Sequence, residues 1–183
     1  MKMILRCSVC LFYMSAVLAQ QAAVTRNSPF QAIQAPVVAE DTISFSIPVP
    51  DFEARDLRGR TWRSADLHGK LTIVQIWGTY CLPCRQEHPA LQDFFGKERS
   101  LKNVQVLTFS LDDDPNRVQA YMKEKGYTFP VIVDRNLEPK LFPSVGTLPK
   151  SWVIGPNGYR ADPFNSWTFG RVLMEVEKMA KAN

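Results

Sequence analysis

The sequence predicts an α/β sandwich in which helices flank a mixed β-sheet. Apolar runs rich in β-branched residues alternate with amphipathic helical patterns, and the chain closes with a hairpin signal followed by a helix. The 183 residues are 45% hydrophobic and 22% charged, which is close to globular averages and excludes a collagen, a coiled coil or a wholly disordered chain. The net charge of +4 is not gathered into a run of Lys and Arg, so the sequence does not favour nucleic-acid binding.

The first 19 residues have the pattern of a secretory signal peptide. Lys2 and Arg6 form a charged start, an apolar stretch follows, and small residues precede a cleavage position after Ala19. The apolar stretch is shorter than the roughly 20 residues that span a bilayer, although retention as an N-terminal membrane anchor is the alternative. Cys7 and Cys10 lie inside this stretch and are expected to leave with it. The sequence therefore predicts an exported protein, in a compartment where disulfides persist.

Residues 20–43 predict a flexible spacer, because they are polar, carry Ala, Gln and Pro, and lack a sustained period. Residues 44–183 are expected to form the folded domain. This domain opens with a hairpin, since short strand patterns at 51–54 and 60–62 flank a turn that contains Gly59.

The middle of the domain alternates between helical and strand patterns. Ser64–Leu67 predicts a single helical turn, which ends before Gly69. Leu71–Trp77 is an almost continuous apolar run, typical of a strand that is buried on both faces. A helical pattern over 83–98 follows, and then a second buried strand at 104–110.

The remaining elements are marked by capping and turn residues. Asp114 followed by proline predicts the start of a helix that runs to about residue 125. Short apolar runs predict strands at 131–133 and 151–154, and a Pro-Asn-Gly turn reverses the chain after the second. An amphipathic pattern predicts a final helix over 167–182.

Cys81 and Cys84 form a Cys-x-x-Cys motif at the junction between the predicted strand ending at Trp77 and the next helix. A helix N-terminus presents unpaired N–H groups and the positive end of the helix dipole, so it lowers the pKa of a thiol placed there. Cys81 is therefore the predicted nucleophile, and Cys84 is predicted to resolve the mixed disulfide. A static disulfide and half of a zinc site are the alternatives. Zinc needs two further ligands, and His68 and His88 are the only histidines in the sequence.

The stretch from Trp77 to Pro89 resembles the active site of the thioredoxin superfamily. More narrowly, it is similar to the extracytoplasmic TlpA/ResA-like proteins, which include the CcmG type of cytochrome c maturation. A Gly-x-x-Pro motif that ends at Pro149 supports the same resemblance. Further matching segments lie at 52–59, 110–112, 127–131 and 153–158. The resemblance covers the chain from about Pro48 onwards, and it implies a thioredoxin-like fold with an N-terminal β-hairpin addition and a central insertion.

The resemblance assigns roles to individual residues. Pro149 matches the cis-proline that faces the dithiol, and together with Leu148 it would offer a backbone edge on which a client docks. Glu87 matches an acidic residue beside the thiols. It lies one helical turn after Cys84, where partial burial would raise its pKa and let it carry the proton of that thiol. Pro89 matches a helix-kinking proline. The other expected substrate contacts are Trp77, Tyr80 and Pro83.

Several positions depart from the thioredoxin pattern or have a plainer interpretation. Gln75 stands where thioredoxins have a buried Asp, and since Gln cannot accept a proton, that role would fall to Glu87. Tyr80 replaces the usual Trp, and Leu82-Pro83 replaces Gly-Pro, a change from which no redox direction follows. Without the resemblance, Pro149 is an ordinary proline at the start of a strand and Glu87 a solvated helix charge.

The sequence favours an exported thiol–disulfide oxidoreductase that reduces disulfides in partner proteins, with a role in cytochrome c biogenesis as one candidate. The reaction would need no cofactor and no metal beyond the redox-active Cys81–Cys84 pair. The expected partners are disulfide-containing client proteins and a membrane thiol relay that supplies electrons. A monomer without nucleic acid is expected, in the bacterial periplasm or an equivalent extracytoplasmic space.

Two other functions use the same cysteines. A Cu(I)-binding metallochaperone would combine Cys81, Cys84 and His88, because soft thiolates suit Cu(I). A thiol peroxidase of the related peroxiredoxin class is the second alternative. His88 is otherwise expected on the helix surface, and Asp112-Asp113-Asp114 is expected to be a solvated loop with a helix cap and not a cation site.

Overall fold

The computed structural model describes residues 43–142, 146–161 and 168–182. The predicted signal peptide, with Cys7 and Cys10, lies outside these residues, as does the predicted spacer apart from Ile43. Within the described residues, no helix combines the length and the apolar character that crossing a membrane requires.

The described part of the chain contains eight strands and four α-helices. The strands are β1 (Phe45–Pro48), β2 (Glu53–Arg55), β3 (Thr61–Arg63), β4 (Leu71–Trp77), β5 (Val104–Ser110), β6 (Val131–Val133), β7 (Lys150–Ile154) and β8 (Tyr159–Ala161). The helices are α1 (Leu82–Lys97), α2 (Pro115–Lys125), α3 (Glu138–Leu141) and α4 (Phe169–Ala182). Short 3₁₀ turns lie at Ser64–Leu67 and Glu98–Ser100.

Six strands form one mixed sheet in the order β1-β8-β7-β4-β5-β6, and β2 and β3 form a separate hairpin. β4, β5 and β6 run parallel, whereas β7 is antiparallel to β4. The register of the central pair runs from Leu71 opposite Val104 to Trp77 opposite Ser110. Both central strands therefore end at the same edge of the sheet, and the loops that follow them meet there.

The sheet separates two apolar clusters. On one face, α1, α2 and α4 pack against β4 and β5. The other face is covered by the hairpin, the first 3₁₀ turn and α3. All residues of β4 and β5 are buried, which explains why their sequences are apolar without alternation.

The predicted sandwich of helices around a mixed sheet is confirmed, and most predicted elements end within a residue or two of the observed ones. β1 and α3 were not predicted. Each has only four residues, which is too short for a periodic pattern. The predicted start of the last helix at 167 lies outside the described residues, and the described helix begins at Phe169.

Candidate active site

The two cysteines lie at the junction between β4 and α1. After Trp77 the chain turns, and the backbone N–H of Cys81 donates to the carbonyl of Gly78 at 3.0 Å. Cys81 is the N-cap of α1, and its Sγ accepts a hydrogen bond of 3.2 Å from the backbone N–H of Cys84. Pro83 occupies the first turn, where a missing N–H costs nothing. Cys81 and Cys84 are joined as a disulfide.

The disulfide is asymmetric in its exposure. Cys81 keeps 8% of its surface and Cys84 none. Their neighbours Tyr80 and Leu82 are 64% and 63% exposed, which is unusual for side chains of this size. Cys81 is therefore the more accessible residue of the pair, and exposed apolar side chains flank it on both sides in the chain.

Gly78 leaves room for the close approach of the Tyr80 ring. A Cβ at position 78 would lie 2.6 Å from Cε1 of Tyr80. The exposed ring would have to move to accommodate any other residue, so Gly78 helps to set the direction in which Tyr80 projects.

Asp112, from the loop after β5, fixes the turn that precedes Cys81. Its carboxylate accepts hydrogen bonds from the backbone N–H of Thr79 at 2.8 Å, from the Thr79 hydroxyl, and from the hydroxyl of Ser110 at 2.7 Å. The prediction of a solvated Asp112 is thus wrong: the carboxylate is buried, because the adjacent ends of β4 and β5 supply its donors. Asp114 does cap α2, as predicted, and accepts from the backbone N–H of Asn116.

Glu87 lies one turn after Cys84 and is half-buried. One carboxylate oxygen, Oε2, accepts a 2.8 Å hydrogen bond from Nε2 of Gln75, which is wholly buried on β4. Burial raises the pKa of Glu87 from 4.5 to about 7, and the hydrogen bond from Gln75 partly opposes this rise. The direction agrees with the expectation from the sequence, and it makes Glu87 able to gain and lose a proton near neutral pH.

His88 is wholly buried, so the prediction of a surface imidazole is wrong. It lies four residues after Cys84, on the helix face that packs against the sheet. Its Nδ1 is 2.9 Å from the hydroxyl of Tyr121, and burial lowers its pKa from 6.5 to about 4. The imidazole is thus buried and paired with Tyr121, and it is not on the exposed surface beside Cys81.

Trp77 is also wholly buried, and its indole N–H donates to Oγ1 of Thr108 at 3.1 Å. Its ring packs edge-on against His88, with ring centroids 4.5 Å apart. Trp77 therefore packs within the apolar cluster that also contains Cys81 and Cys84, and its side chain is not accessible for the predicted contact with a substrate.

The loop before β7 carries the other predicted contacts. The Leu148–Pro149 peptide bond is cis, as the sequence led us to expect. Both residues are partly buried, and Leu148 packs against both apolar clusters. Among the predicted contacts, Tyr80 and Pro83 are exposed beside Cys81. Across the described ranges, no group of three or more His, Cys, Asp and Glu side chains is arranged to hold a metal ion.

Two residues of the site, Asp112 and Gln75, have functions that sequence reasoning did not identify. A polar residue inside an otherwise apolar strand is a signal that was available for Gln75. No local signal separates Asp112 from its exposed neighbours, because Thr79, which supplies two of its donors, lies 33 residues earlier in the chain.

The fold and the disulfide together define a protein of the thioredoxin-like class with a Cys-x-x-Cys site. A sequence model of the AhpC/TSA family matches residues 46–159, and the chain belongs to this family.

Named relatives agree with this placement. The chain is 32% identical to the thiol-disulfide oxidoreductase ResA of Geobacillus thermodenitrificans over 109 residues, which cover 60% of this chain and 62% of that one. It is 29% identical to ResA of Bacillus subtilis over 119 residues, covering 65% and 66% of the two chains. The chain thus spans somewhat under two thirds of the length of these relatives, and the resemblance to ResA-like proteins is confirmed.

A solved structure supports the fold. The crystal structure of a thiol:disulfide interchange protein of the thioredoxin family from Chlorobium tepidum superposes with a TM-score of 0.63 at 25% identity. The superposition covers 75% of this chain and 97% of that one. The predicted thioredoxin-like fold is therefore confirmed.

Proposed function

We propose that the protein is an exported thiol–disulfide oxidoreductase that reduces disulfides in client proteins. The placement of Cys81 carries the proposal: its Sγ caps the N-terminus of α1 and bonds to Cys84, and Cys81 is the less buried residue of the pair. Membership of the AhpC/TSA family and similarity to ResA support the same function.

In the reduced protein, the helix N-terminus stabilises the thiolate of Cys81. This thiolate attacks one sulfur of a client disulfide. A Cys81–client disulfide forms, and the other client sulfur leaves with the bonding electrons and takes up a proton. Cys84 then attacks Sγ of Cys81, which forms the internal disulfide and releases the second client thiolate. Two electrons pass from the dithiol to the client.

Glu87 carries the proton of the resolving step. Cys84 is wholly buried and loses its proton as it attacks, so it needs a nearby acceptor. Glu87 shares a helix face with Cys84 and exchanges protons near pH 7. It is also half-exposed, so it can release the proton to solvent.

Client docking uses the surface around Cys81. Tyr80, Leu82 and Pro83 provide exposed apolar contacts on one side. The proposed second docking element is the backbone at Leu148 and Pro149, to which an extended client segment can pair. Neither a metal nor an organic cofactor takes part in this exchange.

The pattern of residues 1–19, a signal peptide or anchor, supports a reaction outside the cytoplasm, in the periplasm or an equivalent space. The dithiol is regenerated there by a membrane thiol relay. The protein acts as a monomer, and its clients include apocytochromes c or other exported enzymes.

Insulin reduction by the exported protein tests the proposed function. Cys81→Ser is expected to abolish both turnover and mixed-disulfide formation. Cys84→Ser is expected to abolish turnover but to accumulate a client disulfide at Cys81, because nothing resolves it. A Cys81→Ser variant as active as the parent would contradict the proposal.

Two further measurements address the alternatives. We expect no 1:1 complex of sub-nanomolar affinity when the reduced protein is titrated anaerobically with Cu(I), since His88 is held by Tyr121. We also expect peroxide consumption no faster than that of a free thiol. Tight Cu(I) binding or fast peroxide turnover would favour the corresponding alternative.

A further inference from the structure

Gln75 is buried, and within the described part of the chain only one of the two polar atoms of its side-chain amide has a hydrogen-bond partner. Its side chain extends from β4 towards α1, and its Nε2 donates to Oε2 of Glu87 at 2.8 Å. Its Oε1 is buried and has no hydrogen-bond partner among the described residues. Buried carbonyl oxygens are almost always paired with a donor, so an unpaired one beside the site needs an explanation.

Glu87 changes its hydrogen-bonding capacity when it takes up a proton. The ionised carboxylate only accepts, whereas the protonated carboxyl also has one O–H to donate. Nε2 of Gln75 can donate a hydrogen bond to the ionised carboxylate. Oε1, at the other end of the same amide, can accept one from the protonated carboxyl.

We propose that Gln75 is a positioning residue that serves both protonation states of Glu87. Its Nε2 holds the carboxylate, and rotation of the amide brings Oε1 to accept the O–H when Glu87 is protonated. The two ends of an amide have nearly the same size, so this rotation needs no repacking of the strand. The inference rests on the proposed function of Glu87 as proton carrier and adds the group that keeps Glu87 in place throughout the cycle.

The proton balance of the resolving step defines when Gln75 acts. The S–H bond of Cys84 breaks and its proton moves to Glu87, while the Cys84–Cys81 bond forms. The bond between Cys81 and the client sulfur breaks, and its electron pair leaves on the client thiolate. Oε1 of Gln75 then accepts from the protonated Glu87 until the proton passes to solvent. The dithiol and the client supply every electron in this step.

The charged and titratable groups described on the neighbouring elements are accounted for in other ways, so Gln75 is the hydrogen-bond partner of Glu87 in this argument. His88, next on α1, is turned towards Tyr121 of α2 and is neutral near pH 7 because burial lowers its pKa to about 4. Lys150 of β7 lies opposite Ile76, one residue along β4 from Gln75, and therefore on the other face of the sheet. On α4, Glu177 is ion-paired within its own helix. The remaining charged groups on α1 near the site are those of Arg85 and, further along, Asp93.

NMR titration of the oxidised full chain tests the proposal without any turnover, because Cys81 and Cys84 do not titrate as a disulfide. The side-chain carbon and nitrogen signals of Gln75 and Glu87 are followed from about pH 5 to about pH 9. We expect both residues to titrate with one shared midpoint near 7. Gln105, a buried amide on β5 bonded to Thr72, is the control and should not follow that midpoint. A Gln75 amide that stays constant while Glu87 titrates overturns the proposal.

Variants provide the second test. Gln75→Leu removes both the donor to the carboxylate and the acceptor for the protonated carboxyl. We therefore expect the Glu87 side-chain signals to change at both ends of the titration, with the midpoint moving by less than about half a unit. Gln105→Leu is the matched control and should leave the Glu87 signals unchanged at both ends. A raised Glu87 midpoint with unchanged signals at low pH would show that Gln75 serves the carboxylate alone and would overturn the proposal, and if Gln75→Leu does not fold, the titration of the unchanged chain decides alone. Loss of the proposed function is recognised separately, by absent insulin reduction in the parent.

Discussion

Glu87 shows how burial changes the chemistry of a common side chain. On an exposed helix surface a glutamate is ionised throughout the neutral range. Here the sheet covers part of the carboxyl, and its pKa rises to about 7. Gln75 supplies one donor without adding charge, so the carboxyl can still be protonated. The same carboxylate would be a poor proton carrier beside an arginine, which would hold it ionised.

This raised pKa predicts a specific dependence of stability on pH. The unfolded chain releases the Glu87 proton near pH 4.5 and the folded chain near pH 7. Between these values the folded state binds more protons, so the contribution of Glu87 to stability falls as pH rises. Glu87→Gln removes that decline. Relative to the parent, the variant should gain about 1–2 kcal/mol between pH 4 and pH 8, after discounting for solvent screening of a half-exposed group.

Urea unfolding of the oxidised parent and the Glu87→Gln variant at both pH values measures this gain. The effect of His88 on the pH dependence is common to both proteins and cancels in the difference. Glu124→Gln, at an exposed glutamate of α2, is the control and should not reproduce the gain. Parallel pH curves for parent and Glu87→Gln would contradict the prediction.

The burial of individual polar side chains was the feature that the sequence predicted least well. Cys81 and Cys84 were predicted because their spacing at the start of one helix is local information, and Glu87 was predicted from the resemblance to ResA-like proteins. His88 and Asp112 were expected in solvent but are buried, since Tyr121 and Thr79, their partners, come from distant segments. Tertiary contacts determine whether such a polar side chain is exposed to solvent or hydrogen-bonded inside the core.

At the scale of elements, the active site is assembled from the ends of two parallel strands. β4 leads into the turn before Cys81, and the loop after β5 supplies the carboxylate that holds this turn through Thr79. The strand register brings Trp77 and Ser110 side by side, so this support requires no extra element. Cys81, the proposed nucleophile, thus depends on the β5–α2 loop as well as on its own helix.

Asp112→Asn tests this dependence. The amide has one acceptor oxygen and a donor group that faces existing donors, so we expect a loss of about 1–3 kcal/mol in the free energy of unfolding. Insulin reduction should slow several-fold because the turn before Cys81 loosens. Asp113→Asn, which removes only an exposed ion pair with Arg135, is the matched control and should change stability by less than about 1 kcal/mol. Equal effects of the two substitutions would refute a supporting role for Asp112.

Long or strongly patterned elements were predicted from sequence with nearly the observed limits. β4 and β5 are predominantly apolar runs. α2 is bounded by Asp114 at its start and by Gly126, with a φ of 69°, at its end. β1 was missed because a four-residue edge strand is defined by its pairing with β8, which no local pattern encodes. The residue pattern of a long element can be recognised within the element itself. The pairing of a short strand depends on a segment elsewhere in the chain.

At the scale of the whole molecule, the N-terminal hairpin closes one edge of the sheet. The backbone N–H of Leu57 donates to the carbonyl of Val131 at 2.9 Å, and Asp56 bridges to Ile132. The hairpin also places Trp62 in the apolar cluster on the face opposite α1. It therefore protects β6 from pairing with other chains and completes the core.

Asp56 is the residue on which this closure depends. Its carboxylate is buried and accepts from the backbone N–H groups of Arg58 and Arg60 and from the indole of Trp62, at 2.9–3.0 Å. Asp56→Ala should cost about 2–4 kcal/mol, because three donors lose their acceptor. Asp51→Ala, at an exposed carboxylate bonded to the Ser64 hydroxyl, is the control and should cost less than about 1 kcal/mol.

Hydrogen exchange then locates the Asp56→Ala effect. Amide protection should fall at Leu57 and along β6, whereas β4 should keep its protection relative to the global stability. A uniform loss of protection across the sheet would show that Asp56 stabilises the domain without a particular connection to the edge.

The recessed position of Cys81 between the projecting side chains of Tyr80 and Leu82 sets a geometric condition on what reacts. A disulfide that lies flat on a rigid folded surface would meet these two side chains before it reaches Cys81, whereas a disulfide in a flexible segment could bend between them. Under the proposed function, we therefore expect faster reduction of disulfides in flexible segments than of disulfides held rigidly on a folded surface.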